Sequence, residues 1–143
     1  MFKFVYRMLD KLCLEKEAGF FLEIDDNHKT IEYCTLDSKN KIINNFFCNI
    51  NSETMTKIRN ILEDNNNLFL LNSNVYSKGD YSEIEQMFYF ELDNINRKIE
   101  GNNIFDKYID NKSINLLINV FNKISNVLLK ENIVLKLDSL TLV

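Results

Sequence analysis

Between residues 20 and 50 the chain alternates apolar and polar side chains in three runs, separated by polar clusters. In the first run Phe20, Leu22 and Ile24 share one face of an extended chain, as in a half-buried strand. The separating clusters, DDNHK and DSKNK, contain the residues that best tolerate turns. The pattern therefore predicts an antiparallel meander with strands over 20–25, 30–36 and 42–50. One face of the third strand is expected to carry Ile42, Asn44, Phe46, Cys48 and Ile50.

Helical spacing of apolar residues occurs in three other segments. The first is predicted over about 3–16, with Phe2, Val5 and Leu9 on its apolar side and Gly19 as its C-terminal stop. The second is predicted over about 53–64 with Ser52 as N-cap, and the third over 113–128 with Ser113 as cap.

A further strand is predicted through Phe88, Phe90 and Leu92, because apolar and polar residues alternate there. The turn 93–96 would lead into a return strand over 97–100, and 133–137 would add a short strand or an extended tail. Residues 72–86 are predicted to form a polar loop that is long enough to move.

This order of elements predicts an α+β fold: an antiparallel sheet of about five to six strands with two or three packing helices. A length of 143 residues and 45% apolar composition are typical of one globular domain, so residues 1–143 are expected to form a single domain.

Composition and charge restrict the location and the partners. A net charge of -4 argues against direct nucleic-acid binding, which requires clustered Lys and Arg. The first residues are interrupted by charges and lack a signal-peptide core, and no run approaches 18 apolar residues. Three separate cysteines without a CxxC pair favour a reducing compartment. These features predict a cytosolic protein that does not bind membranes.

The residue types that perform catalysis are scarce, because the chain has 22 asparagines but one histidine. A Cys-His pair would require His28 to activate Cys13, Cys34 or Cys48, and His28 is expected in a surface turn. The carboxylate pairs Asp25-Asp26 and Glu83-Glu85 have no specific spacing, and Gly79 forms no phosphate-binding loop. The sequence therefore predicts a protein that is not an enzyme and has no metal site and no cofactor.

The segment 76–91, YSKGDYSEIEQMFYFE, mixes tyrosines with carboxylates, as acidic and aromatic interfaces do. We expect it to bind a basic protein partner. Reversing Asp80, Glu83 and Glu85 to lysine is then expected to slow association without unfolding the domain. The candidate partner-binding residues are Tyr76, Asp80, Tyr81, Glu83 and Glu85.

In size, acidity and element order, the chain resembles small bacterial immunity proteins, including those against contact-dependent growth-inhibition toxins. The resemblance implies a monomer or weak dimer that binds a cognate basic toxin, such as a nuclease, and covers its active site. Its carboxylates would occupy the place of the substrate's phosphates.

Two other functions are compatible with the sequence. The run FFLEIDDNHKTIEYC and the element order are similar to class I type III secretion chaperones, which implies a dimer that binds an unfolded effector segment. The other alternative is an enzyme or small-ligand protein whose pocket is assembled from residues far apart in sequence.

Overall fold

The computed structural model describes residues 1–71, 84–102 and 112–142. Its strands and helices are listed here in chain order: β1 (Phe2–Asp10), β2 (Gly19–Asp25), β3 (Thr30–Leu36), β4 (Ile42–Asn49), α1 (Ser52–Asp64), a 3-10 helix (Asn66–Leu70), β5 (Ile84–Leu92), β6 (Ile95–Asn102), α2 (Lys112–Leu129), β7 (Ile133–Leu135) and β8 (Leu140–Leu142).

The first six strands form one sheet in the order β4-β3-β2-β1-β5-β6, and every neighbouring pair is antiparallel. β7 and β8 form a separate two-stranded sheet. This architecture confirms the predicted α+β class and the predicted meander, which is formed by β2, β3 and β4. Among the described residues, no helix has the length and apolar character needed to span a membrane.

The predicted first helix is wrong, because residues 2–10 form a central strand of the sheet. Phe4 and Tyr6 are fully buried under the helices, whereas Val5 and Leu9 are buried on the opposite side. A strand buried on both faces has apolar residues at both odd and even positions, and some of these fall three or four apart by coincidence. The aromatic and β-branched residues of this segment favour a strand.

The prediction that Gly19 ends a helix is wrong. Gly19 begins β2, directly opposite Leu9 of β1. A Cβ atom at this position would stand 2.1 Å from the Met8 carbonyl oxygen. The close approach of the two backbones therefore requires glycine here.

Short polar turns connect β2 to β3, β3 to β4 and β5 to β6, and each of these three turns contains a left-handed residue. Lys29 lies before β3, Asn40 before β4 and Asp93 before β6, with φ values of 54°, 66° and 54°. In the first turn the Asp25 carboxylate accepts the Asn27 amide, and Lys29 pairs with Asp26 at 2.6 Å. The third turn is shorter than predicted, because β6 already begins at Ile95.

Both helices cover one face of the large sheet and bury the main apolar core against it. From α1 the core takes Met55, Ile58 and Leu62, and from α2 it takes a stripe that includes Leu117 and Phe121. The Phe121 ring packs edge-on against Tyr6 and Phe88, with ring centroids 5.1 and 6.1 Å apart. Aromatic side chains of β1 and β5 thus form the centre of the core.

Several predicted boundaries and caps differ from the structure. Asn51 caps α1 and accepts the Thr54 amide at 2.8 Å, while Ser52 is the first helical residue. Ser113 lies within α2, which is described from Lys112 onward. Residues 84–86 belong to β5 and not to the predicted loop, whose remaining part, 72–83, lies outside the described residues.

A bulge in β4 changes which side chains share a face. Thr35 pairs with Asn44 and Leu36 with Ile42, so Ile43 is an extra residue. Ile42 therefore lies beside Leu36, on the opposite face from Phe46 and Cys48. The prediction that Ile42 shares their face is wrong, since the alternation it assumed is interrupted at the bulge.

Asp93 links α1 to the β5-β6 turn and gives stability a defined pH dependence. Hydrogen bonds and charge from Arg59, and then from the terminal ammonium of Met1, lower the Asp93 pKa from 3.8 to about 2. The stabilising contribution is complete above the unfolded pKa and is lost as pH falls towards 2. We expect D93N to be less stable than the native protein at pH 6, by urea unfolding, and the difference in the free energy of unfolding to become small as pH falls through about 2. R59L should remove most of the same pH dependence, and an unchanged difference at both pH values would contradict this assignment.

Candidate functional site

The face of the large sheet opposite the helices carries partly exposed side chains on all six strands. We call it the open face. Its cross-strand rows follow from the strand register. The row through the middle runs Phe47, Glu32, Glu23, Val5, Tyr89, Lys98. The next row runs Asn45, Cys34, Phe21, Arg7, Met87, Glu100.

Carboxylates outnumber cationic groups on the open face. Among the described strand residues, the cations are Lys3, Arg7 and Lys98, and the six carboxylates are Glu23, Asp25, Glu32, Glu85, Glu91 and Glu100. Two ion pairs lie within this set, Lys3 with Glu23 at 3.6 Å and Lys98 with Glu100 at 2.7 Å. The face therefore has an acidic excess.

Glu23 and Glu32 stand directly opposite each other on β2 and β3. They border a surface hollow of about 420 Å³, with Phe21 and Cys34 among its other lining residues and Arg7 at one side. Burial and the charges of Glu32 and Glu23 raise the pKa of the Cys34 thiol to about 11. The thiol therefore stays protonated at neutral pH, which removes its nucleophilic form.

Only one of the five predicted partner-binding residues is described. Glu85 lies on β5 opposite Leu9 and pairs with Lys11 at the edge of the open face. Tyr76, Asp80, Tyr81 and Glu83 lie outside the described residues. Glu91 of the same strand also lies on the open face, and the structure adds Glu23 of β2 and Glu32 of β3 from two other parts of the sequence.

The cysteines and the histidine do not form a catalytic pair in the described contacts. The Cys34 sulfur contacts Glu32 and Asn45, and the Cys13 sulfur contacts the Glu17 carbonyl. His28 is exposed, and its Nδ1 lies 2.7 Å from an Asp25 oxygen. Burial of Asp25 raises its pKa, but hydrogen bonds from His28 and Asn27 outweigh this effect, so the Asp25 pKa lies below its usual value. His28 thus holds a turn.

On the helix side, a cleft of about 370 Å³ opens at the end of the large sheet, where the turn between β7 and β8 overlies β1, β2 and β3. Its apolar floor includes Met8 and Phe20, and its rim includes Asp10, Glu17 and Asp138. Within the described parts of the chain, no set of three or more His, Cys, Asp or Glu side chains is arranged to hold a metal ion. We call this feature the end cleft.

Tyr6 fixes the segment that forms one wall of the end cleft. Its hydroxyl donates to the Leu137 carbonyl at 2.6 Å and accepts from the Gln86 amide at 3.2 Å. Burial raises the Tyr6 pKa and nearby Asp138 raises it further, against the hydrogen bond from Gln86, so the phenol remains a donor. Ser125 on α2 secures β7 through the Leu135 carbonyl at 2.6 Å.

Thr35 is the unusual residue of the end cleft. It is 6% exposed, and its hydroxyl oxygen is the one buried side-chain oxygen or nitrogen in the described residues without a hydrogen-bond partner. Nearly all buried polar groups in proteins have such a partner. A sequence pattern could not identify it, since Thr35 sits in an ordinary strand run.

No protein-family model matches the chain, and no curated protein matches it either.

Proposed function

We propose that this chain is a non-catalytic binding protein of the immunity type, which binds a basic protein toxin through its open face and blocks the toxin's active site. The observation that supports this proposal best is the direct pairing of Glu23 with Glu32 in the middle of that face. The three cysteines are free, which suits action in the reducing cytosol.

Two like charges directly opposite each other on neighbouring strands destabilise a sheet. Lys3 offsets part of this repulsion through Glu23, but at 3.6 Å and on the surface its effect is small. Lysine and arginine side chains of a partner would neutralise both carboxylates. The repulsion destabilises the free protein, and its relief in the complex would favour binding.

Aromatic side chains in the same two rows supply contact area beside the charges. Tyr89 and Phe21 are half-buried, whereas Phe47 is 68% exposed. Such rings bring large contact area at low entropic cost, and flanking carboxylates steer a basic partner. On a nuclease toxin, the carboxylates would occupy the positions that bind the substrate's phosphates.

The direct experiment is affinity purification from native lysate, combined with co-expression of the product of the adjacent upstream gene. The mass of the intact complex then gives the stoichiometry. We expect a folded, basic and toxic partner at a one-to-one ratio. A preparation that yields only a dimer with an insoluble, unfolded client would instead favour the secretion-chaperone function.

E32K tests the open face itself. The substitution should slow association with the captured partner by about tenfold at low ionic strength, because it removes an attracting charge and adds a repelling one. It should leave the free energy of unfolding unchanged or raise it, since the repulsion with Glu23 disappears. D64K makes the same charge change at the end of α1, outside the open face, and should retain most of the association rate. Equal rates for the two variants would remove the open face from consideration.

One observation favours the chaperone alternative, in which two copies would pair. β4 is an edge strand without a charged residue, and it exposes Ile42 and Phe47. The opposite edge, β6, carries Arg97, Lys98 and Glu100, the kind of charges that prevent edge pairing. The mass measurement above separates the two functions, because the chaperone requires a dimer before it binds its client.

A further inference from the structure

The end cleft combines an acidic rim, apolar walls and one buried hydroxyl without a partner. We propose that it binds a primary ammonium or guanidinium group carried on a short apolar stem. The site lies on the helix side of the sheet, away from the open face, and the proposal does not rest on the immunity function.

The Thr35 hydroxyl is the element that points to a ligand. Thr35 lines the cleft from β3, and its hydroxyl oxygen is buried from bulk water without a hydrogen-bond partner. A buried hydroxyl left in this state destabilises a protein. A hydroxyl oxygen has lone pairs that accept hydrogen bonds, so rotation of the Thr35 side chain towards the cleft would let its oxygen accept from the N–H of an incoming cation.

The charges of the rim determine the sign of the ligand. Asp10, Glu17 and Asp138 line the cleft, and no described lysine or arginine does so. Burial raises the pKa of the Tyr33 phenol, and the nearby charge of Glu17 raises it further. Burial and the charge of Asp138 raise the pKa of Tyr6 in the same way. Glu17 therefore acts on a residue that lines the cleft, and Asp138 acts on Tyr6, which holds the wall segment through the Leu137 carbonyl. An anion would be repelled, whereas a cation gains charge-assisted hydrogen bonds.

The walls determine what the cation is attached to. Met8, Phe20 and Leu140 offer apolar surface, and Tyr33 adds an aromatic ring. Aliphatic chains pack on such walls, and a cation near an aromatic face gains cation-π attraction. Ligand pockets range from about 300 to 1,000 Å³, so a cleft of about 370 Å³ suits a small group. Alkylamines, alkylguanidines and the side chains of Lys and Arg share this chemistry.

Isothermal titration calorimetry with the full chain tests the charge requirement. The probes are butylguanidine, butylamine and the neutral, similarly sized butanamide. We expect saturable binding of at least one of the two cations and binding of butanamide at least about tenfold weaker, because hydrogen bonds to charged groups are the stronger ones. No cation binding at millimolar concentration, or equal binding of butanamide, would overturn the proposal.

Two sets of variants locate the binding in the end cleft. T35V keeps the side-chain shape and should weaken cation binding by about tenfold, while the unliganded protein becomes as stable as the native one or more stable. D138N and E17Q, combined, should weaken it by a similar factor, and the matched pair D64N and E15Q should leave it unchanged. Loss of binding in the control variant D64N/E15Q would place the ligand elsewhere. Full cation binding by either T35V or D138N/E17Q would also refute the site.

The source of the cation is decided by a second titration with the peptides acetyl-Gly-Arg-Gly-amide and acetyl-Gly-Gln-Gly-amide. If the arginine peptide binds at least as tightly as butylguanidine and the glutamine peptide does not, the cleft accepts a side chain from another protein. If only the free cations bind, the cleft is a small-molecule site. Both results support the cation site, whereas equal binding of the two peptides would count against it.

Discussion

F121A is expected to lower the free energy of unfolding by about 3–5 kcal/mol, the range typical of removing a buried phenylalanine. Phe121 is 1% exposed and connects α2 to the sheet, with edge contacts to both Tyr6 and Phe88. Alanine would leave a cavity between α2 and the two central strands. The loss follows from both the missing apolar contacts and the incomplete collapse of that cavity.

Urea unfolding followed by circular dichroism measures this effect, and F47A is the matched control. Phe47 is 68% exposed on the edge strand, so its replacement should change the free energy of unfolding by no more than about 0.5 kcal/mol. If F121A lowered the free energy of unfolding no more than F47A does, α2 would not pack on the sheet through Phe121.

G19A is expected to lower the free energy of unfolding by about 2–3 kcal/mol, at the upper end of the usual effect of overpacking. The added Cβ would meet the backbone of Met8 at 2.1 Å, and a backbone atom cannot move aside as the end of a flexible side chain can. The strands β1 and β2 would have to separate at this end. That separation would also disturb the end cleft, which Gly19 helps to line.

Thermal and urea unfolding of G19A should both show the loss. N49A is a suitable control, because Asn49 is an exposed residue of the edge strand β4. Hydrogen exchange should show faster exchange at the Asp10 amide, which donates to the Ala18 carbonyl beside the strained position. A fully stable G19A would contradict the close approach of β1 and β2.

The two candidate sites use opposite sides of the sheet, and both offer carboxylates to cationic groups. The open face is broad, acidic and aromatic, which suits a folded protein partner. The end cleft has a volume of about 370 Å³ and is bordered by a turn that Tyr6 holds through Leu137, which suits a small group. Substitutions that separate the two, such as E32K and T35V, can therefore be combined to ask whether both functions operate in one molecule.

Much of the fold could be predicted from local patterns. The meander of β2, β3 and β4 was predicted because each strand has one buried face and each turn has the expected Asp or Asn. α1 and α2 were predicted because their apolar stripes face one sheet. The sequence predicts an acidic interface with Asp80, Glu83 and Glu85, and of these Glu85 lies on the open face, whose other carboxylates come mostly from other strands.

What failed were the elements whose pattern depends on distant parts of the chain. β1 lies between β2 and β5 and is buried on both sides, so its sequence lacks the one-sided alternation that identifies a strand. The bulge at Ile43 and the short β8 likewise depend on their pairing partners. Local propensity does not determine which strand lies at the centre of the sheet.

The sequence by itself determined the class of fold, the meander, both helices and the acidic character of the surface, because these follow from spacing and composition within short segments. Only the tertiary structure decided that Glu23 faces Glu32, and that Thr35 and Asp138 line one cleft. Strand register and the packing of the β7-β8 turn bring these groups together from distant positions. Their proximity is fixed by the hydrogen bonds and buried contacts of the folded chain, which no single segment contains.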